Sequence, residues 1–321
     1  MDKLIEFEKV NVCFEKNGLF KKSKVHVLKD IDLTINRGEI LAVVGESGCG
    51  KTTIGRLITG LLNQTSGKIG YFDKDGKLLR KQDKSNDVQF VQQDSYAALN
   101  PVKTIYQSLR NALQAFDKKR AFAQIDTRIH ELMELVGLVP AEQFLDKFPY
   151  QLSGGQRQRI LMARAMCFEP TLIVADEPVS MIDVSLRLSI LKLMRNLNEI
   201  TNISFVYITH DLATARYIAS NGRICVLYLG EIMEVGEVNQ VLEAPQHPYT
   251  RALLQAVPNP DPEKAVYDEL PIKSMDLVPL DDRPVGCSFY NRCPYAMDKC
   301  KEKIEDVNVN GVLVKCCNIP K

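Results

Sequence analysis

Residues 40–52 read Ile40-Leu-Ala-Val-Val44 followed by Gly45-Glu-Ser-Gly-Cys-Gly-Lys-Thr52. The first five are apolar and β-branched-rich, as suits a parallel strand buried on both faces. The next eight match G-x-x-x-x-G-K-[ST], and a helical pattern follows from about Lys51 to Leu62. In this strand–loop–helix setting the glycines let successive backbone N–H groups turn inward on phosphate oxygens. The helix N-terminus adds partial positive charge. Lys51 is expected to reach terminal phosphates and the Thr52 hydroxyl to ligate Mg²⁺. A Gly-rich turn that merely contains Lys-Thr would not need the flanking strand and helix.

Outward from this loop, the pattern is of strands alternating with helices. Leu172 to Ala175 and Ile203 to Ile208 are short buried-strand runs. Between them Leu186, Ile190, Leu193 and Leu197 fall at helical spacing. The alternation predicts an α/β fold with a largely parallel sheet. The first 40 residues read as antiparallel strands, with a basic loop at Lys16 to Lys24 read as a solvated hairpin tip. Residues 95–165 hold several helical patterns, including Ile129 to Leu135. After Pro245 the composition changes. Pro258, Pro260, Pro262, Pro271, Pro279 and Pro284 predict an extended segment leading to a small Cys-rich tail.

Thr171-Leu-Ile-Val-Ala-Asp-Glu177 places two acids at the end of an apolar strand. Alone, such a pair is usually a solvated strand end. Beside a phosphate loop, Asp176 is suited to hold Mg²⁺ through water and Glu177 to polarise an attacking water.

The 321 residues carry 41 Lys+Arg and 40 Asp+Glu, with 45% hydrophobic and 25% charged residues. These are ordinary values for a globular protein. The near-zero net charge argues against a sequence-independent grip on nucleic acid or anionic lipid, so no nucleic-acid partner is expected. The clearest apolar run, Ile224 to Leu229, is strand-sized, well below the ~20 residues a membrane helix needs. The N-terminus lacks the apolar core of a signal peptide. A soluble, unexported chain is expected. In that setting Cys287, Cys293, Cys300, Cys316 and Cys317, crowded near the end, suggest a metal more than disulfides. Four thiolates can close a zinc site or hold an iron–sulfur cluster. Free cysteines in a loosely packed tail are the alternative.

Leu152-Ser-Gly-Gly-Gln156 resembles the signature motif of ABC ATPases, and the other motifs stand in that family's order. The resemblance implies a P-loop NTPase core with a parallel sheet, an N-terminal antiparallel β subdomain and a helical subdomain at about 95–165. It implies an ATPase domain over 1–254 and a Pro-rich, Cys-bearing extension over 255–321. By the same resemblance Phe14 stacks on adenine, with Cys13 its neighbour in a position often held by Tyr. The implied ATP-binding set is Phe14, Gly45, Glu46, Ser47, Gly48, Cys49, Gly50, Lys51, Thr52, Thr53 and Gln93, with Gln92 the weaker neighbour of Gln93. Mg²⁺ would be held through Thr52, Gln93 and Asp176. Glu177 and His210 are the implied catalytic pair. Ser153, Gly154, Gly155, Gln156 and Asp183 would reach the ATP bound to a second subunit in a head-to-tail dimer. Asp183 lies in Ser-Met-Ile-Asp, where Ser-Ala-Leu-Asp is usual.

His247-Pro-Tyr-Thr250, the Pro-rich stretch and Cys287…Arg292-Cys293-Pro294 resemble the oligopeptide/dipeptide/nickel importer subfamily, in wording closest to the F-type subunit. This implies an ATPase that powers peptide import. It would sit peripherally on the cytoplasmic, inner face of the membrane. A D-type paralogue, two permease subunits and, indirectly, an extracytoplasmic binding protein would be its partners. Oligosaccharide and nickel importers look similar. A soluble ABC ATPase of DNA repair or translation is a more distant reading, and the stretch from Gly60 to Gly154 leaves no room for a long coiled coil. Subfamily members with this cysteine pattern carry a 4Fe–4S cluster, which favours the cluster over zinc. Cys287, Cys293, Cys300 and Cys316 are the implied ligands. Val314-Lys315-Cys316 favours Cys316, and a one-residue slip would pass the role to Cys317. The implied cluster would pin a tail too poor in apolar residues to fold by core burial alone.

Overall fold

The computed structural model describes residues 2–17, 22–79, 87–118, 121–257, 271–276 and 278–319. Residues 18–21 of the basic hairpin tip, and Pro258, Pro260 and Pro262, lie outside the described residues. Strands β1 (Lys3–Asn17) and β2 (Lys22–Asn36) pair antiparallel, as the N-terminal reading expects. Strand β3 (Ile40–Val44) leads into helix α1 (Lys51–Ile58), which ends one turn earlier than the expected Leu62 because Gly60 turns left-handed at φ 70°. Strand β4 (Ser66–Tyr71) returns to pair with β1, completing a three-stranded sheet in the order β2-β1-β4.

The second sheet begins with β5 (Val88–Val91) at its edge. A run of helices follows: α2 (Ser95–Ala98), α3 (Ile105–Phe116), α4 (Phe122–Leu135), α5 (Glu142–Leu145) and α6 (Gly154–Met166). Thr104 starts α3 and Ser153 starts α6 with reciprocal capping boxes to Gln107 and Gln156, which satisfy backbone donors otherwise left open. The chain then alternates. Strand β6 (Leu172–Asp176), helix α7 (Val184–Thr201), β7 (Ser204–Thr209), α8 (Leu212–Ile218), β8 (Arg223–Tyr228) and β9 (Glu231–Glu237) follow in turn. Helices α9 (Val238–Glu243) and α10 (Pro248–Gln255) close this part.

Strands β8, β3, β7, β6 and β5 are parallel neighbours, the α/β core that the alternation predicts. Their side chains alternate between two buried faces, which is why the runs read as continuously apolar. Leu41, Val43, Val206 and Ile208 pack with α1 and with the small sheet. Ala42, Val44, Phe205 and Tyr207 pack toward the helices of the 95–165 region.

The tail departs from expectation. Strands β10 (Val307–Val309) and β11 (Val312–Val314) form a hairpin, and β11 pairs antiparallel with β9 through Leu313↔Val235 and Val314↔Glu234. The turn is Asn310-Gly311 with φ of 52° and 91°, the doubly left-handed geometry that matches strand twist. Phe289 and Val314 are fully buried, and Val312 and Ile304 nearly so, all within the larger core. The expectation that this tail lacks the apolar residues for core burial is therefore corrected. Its few apolar side chains insert into the core of the sheet domain rather than forming a core of their own.

Candidate nucleotide site

The phosphate loop leaves the C-terminal end of β3, where its first residue is tightly packed. Gly45 has φ 154°, and a Cβ there would stand 2.1 Å from the Leu227 carbonyl oxygen of β8. No side chain fits between loop and strand. The Gly230 N–H donates to the Cys49 carbonyl at 2.8 Å, fixing the loop from the other side. The Cys49 thiol is buried, and desolvation raises its pKa, so it serves as a small packing group. Lys51 is buried at 6% exposure, and its Nζ donates to the Gly45 and Glu46 carbonyls at 2.8 and 2.9 Å. The ammonium is thus held by the loop it belongs to, under the space that the loop encloses.

A cavity of about 650 Å³ lies above the loop. It is lined by Ser47, Gly48, Gly50, Lys51, Thr52 and Thr53, by Gln93, Glu177 and His210, and by Phe14, Val27 and Leu280. Phe14 is 42% exposed there, so its ring is available to a ligand. Of the residues that the resemblance implies for ATP, Phe14, Ser47, Gly48, Gly50, Lys51, Thr52, Thr53 and Gln93 line this cavity, while Gly45, Glu46 and Cys49 belong to the same loop without lining it. Val27 and Leu280 are additions that sequence reasoning missed.

The Asp176 carboxylate is hydrogen-bonded to the Thr52 side chain. Burial pushes its pKa up, against the pull of that hydrogen bond. Glu177 follows in a left-handed conformation, φ 44°, its N–H bonded to the Ile208 carbonyl at 2.9 Å. Such backbone is costly for a non-Gly residue and is concentrated at functional sites. It turns the Glu177 side chain into the cavity. There Oε1 stands 3.1 Å from His210 Nδ1, and Oε2 accepts from Gln93 Nε2 at 3.2 Å. Gln93 also donates to Ser180 Oγ at 3.2 Å. A carboxylate oriented by an imidazole and an amide, close to the phosphate loop, can take a proton from water.

The Ser-Gly-Gly loop forms no part of this cavity's lining. Ser153 Oγ accepts from the Gln156 N–H at 3.3 Å at the start of α6. A Cβ on Gly154 would stand 3.5 Å from the Met181 carbonyl, and one on Gly155 3.7 Å from Leu186. Gly154 and Gly155 thus face the 181–186 segment that holds Asp183, and none of Ser153, Gly154, Gly155, Gln156 and Asp183 lines the phosphate-loop cavity. Met181 and Val184 in that segment are 59% and 76% exposed.

Two further residues support the loop from the C-terminal part of the chain. The Glu46 N–H donates to the Tyr249 hydroxyl at 3.0 Å. Arg292 Nη1 contacts both Glu46 carboxylate oxygens at 2.9 Å. In the sequence Tyr249 and Arg292 stand out only as markers of a subfamily, with no sign of this contact.

The cysteine tail is gathered but not closed. Cys287, Cys293, Cys300 and Cys316 are buried, whereas Cys317 is partly exposed. Burial pushes the Cys287 thiol up to about 12 and raises Cys293 and Cys316, and neighbouring thiols add to each shift. Cys300 Sγ and Cys317 Sγ are 3.2 Å apart. Among the described residues no group of three or more His, Cys, Asp or Glu is placed to hold a metal ion. Nor is any helix among them long and apolar enough to cross a membrane.

Residues 28–180 match the family described as ABC transporter, and residues 233–300 match the oligopeptide/dipeptide transporter, C-terminal region. The chain is 39% identical over 319 residues to the dipeptide transport ATP-binding protein DppF of Haemophilus influenzae, covering 95% of this chain and 93% of that protein. It is 38% identical over 308 residues to the oligopeptide transport ATP-binding protein OppF of Escherichia coli, covering 92% and 90%. Among solved structures, the ATP-binding cassette MJ0796, a dimer in a post-hydrolysis state with ADP and Pi, aligns with a TM-score of 0.62. It is 28% identical and covers 73% of this chain and 99% of that one. CbiO1 of Clostridium perfringens, part of the transporter complex CbiONQ, shares the fold at a TM-score of 0.64 and 24% identity, over 76% of this chain and 92% of that one. The chain belongs to the ATP-hydrolysing subunits of the ABC transporter family, in the branch that carries the oligopeptide/dipeptide transporter C-terminal region.

Proposed function

We propose that this chain powers the import of di- and oligopeptides by binding and hydrolysing ATP on the cytoplasmic side of a membrane. The observation that carries the reading is likeness over nearly the whole length, C-terminal region included, to proteins named for dipeptide and oligopeptide transport. In this reading residues 1–254 are the ATPase domain and 255–321 its extension. Lys51 and the loop amides bind phosphates, Phe14 takes the base, and Glu177, oriented by His210, accepts a proton from water. Thr52, Gln93 and Asp176 would hold Mg²⁺, which neutralises phosphate charge. Ser153 to Gln156 and Asp183 act on the site of the other subunit, a D-type paralogue. Two permease subunits and an external binding protein complete the assembly. Oligosaccharide or nickel cargo is the alternative, and a soluble ABC ATPase the remote one.

Reconstitution of the co-purified complex in liposomes tests this. Peptide uptake that requires ATP and the binding protein is expected. ATP-dependent uptake of nickel or an oligosaccharide but not peptide would replace the cargo. Absence of any co-purifying permease would remove the transporter reading for this chain.

A second reading concerns the tail. We propose that Cys287, Cys293, Cys300 and Cys316 bind a 4Fe–4S cluster, with Zn²⁺ the competing occupant. Four buried thiols support it: burial and neighbouring thiols raise the pKa of Cys287, Cys293 and Cys316, and a bound cation would offset the repulsion between their thiolates. Burial of Cys316, but not of Cys317, supports the choice of fourth ligand. The four would have to converge further than they do here. Anaerobically purified protein should be brown, with about four irons per chain. Colourless protein with one zinc would refute the cluster, and metal-free folded protein would refute both. Cys316→Ser and Cys317→Ser, made separately, identify the fourth ligand.

A further inference from the structure

The candidate nucleotide cavity has one lining residue, Leu280, that comes from the C-terminal extension. After the described segment 271–276 the chain reaches a single turn of 3₁₀ helix, Leu280–Asp282, which lies against β2. Leu280 lines the same cavity as Phe14 and Val27. Its position is not left to a loose loop. Arg283 Nη2 donates to the His26 carbonyl at 2.6 Å, one residue before Val27. Arg283 also packs close to Gly230, whose carbonyl accepts the Lys29 N–H at 2.9 Å. The extension is thus fastened to β2 beside Val27, another residue of the cavity lining.

Three of the side chains that line this cavity are apolar. Phe14 offers an exposed ring, Val27 a branched aliphatic group and Leu280 a larger one. Such walls hold a flat aromatic ring by stacking and dispersion and offer no side-chain donor or acceptor to its edge. We propose that Leu280 closes over the purine base of the bound nucleotide opposite Phe14, and that Arg283 is the positioning residue that holds it there. This rests on the reading of the cavity as the nucleotide site. An apolar clasp of this kind recognises that a base is present rather than which purine it is. The C-terminal extension thereby becomes a component of the nucleotide pocket.

Calorimetric titration of the full chain with ATP, GTP and inorganic tripolyphosphate, each with Mg²⁺, tests the proposal. Leu280→Ala should weaken ATP and GTP alike, by about five- to twenty-fold for the lost apolar contact, and leave tripolyphosphate unchanged. Leu280→Met conserves volume and should retain the native affinities. Arg283→Ala should reproduce the base-dependent loss in part. Equal loss for tripolyphosphate, no loss for ATP, or a loss in Leu280→Met as large as in Leu280→Ala would overturn it. Lys51→Ala separates this from the underlying reading, because it should weaken tripolyphosphate as well as ATP. If it weakens neither, the phosphate site is misplaced, whatever Leu280 does.

Discussion

Arg292 and Glu46 stand 246 positions apart in sequence, yet one guanidinium nitrogen lies 2.9 Å from each oxygen of the other's carboxylate. Glu46 belongs to the phosphate loop and Arg292 to the cysteine-bearing tail. The Arg292 side chain is 8% exposed and that of Glu46 28%, so the pair is shielded on one side only. Arg292 Nε reaches the Ser274 carbonyl at 3.3 Å, and its own carbonyl accepts the Lys273 N–H at 2.7 Å. The contact is therefore a braced strut, unlike a mobile surface ion pair.

Removing the strut should be felt at the loop. Arg292→Ala is expected to cost about 1–3 kcal/mol, the range for stripping a partner from a partly buried charge. The KM for ATP should rise at the same time. Arg292→Lys should recover only part, since a point charge on a flexible stem does not reproduce the planar donor group. A double-mutant cycle with Glu46→Ala, read by urea unfolding, isolates the pair. A coupling near zero would mean that the contact carries no energy.

Glu177→Gln keeps shape and a hydrogen-bonding oxygen but removes the base. Hydrolysis should fall by about 10²- to 10⁴-fold while ATP still binds. The variant should accumulate as an ATP-loaded dimer in size-exclusion chromatography. Turnover close to the native rate would reassign the base.

In isolation, with a second copy of this chain standing in for the D-type paralogue, completion of each site by a second subunit predicts rescue between two inactive variants. Lys51→Ala loses the phosphate loop and Ser153→Arg blocks the surface that serves the other subunit. Mixed together, they can form a dimer with one site intact at both halves. ATPase activity of the mixture above the sum of the separate proteins is expected. Activity of the native chain that does not depend on its concentration, in a verified monomer, would contradict this.

His247 supplies a pH test. Its ring caps α10, with Nδ1 accepting the Tyr249 N–H at 3.0 Å. Burial, then the nearby Arg251 charge, pushes its pKa down to about 3. The unfolded chain binds a proton near pH 6.5 that the folded chain refuses, so stability falls as pH drops from 6.5 toward 3. At pH 5 the loss should be about 2 kcal/mol relative to pH 7.5. His247→Asn keeps a capping oxygen and should flatten this part of the profile in urea titrations at the two pH values. An unchanged slope would show that His247 is not its source.

Much of the site was legible because its chemistry is local. Gly45 to Thr52 need only a strand before and a helix after, and Asp176 and Glu177 only the end of β6. The signature loop was legible as a resemblance and as a helix cap at Ser153. Leu280, Val27, Tyr249 and Arg292 were not. Each acts on residues far away in sequence, and nothing in a Leu or an Arg says which distant loop it will meet. The tail was misjudged for a different reason. Six prolines drew attention to extended chain, while Asn310-Gly311 between two short apolar runs carried a hairpin signal that composition conceals. Its apolar residues looked too few because the core that they complete lies in another part of the chain.

The pairing of β11 with β9 also sets an order of events during synthesis. Strand β9 lies beside β8, and β8 beside β3, the strand that carries the phosphate loop. Until Val312–Val314 leave the ribosome, the outer side of β9 has no neighbour, and its N–H and C=O groups form an open template for other chains. Domains begin to fold from the N-terminus as they emerge, so this edge is exposed while the rest of the sheet already stands. A chain shortened by its last dozen residues would keep that edge for life. It should retain the sequence of every nucleotide-contacting residue and still be lost to aggregation.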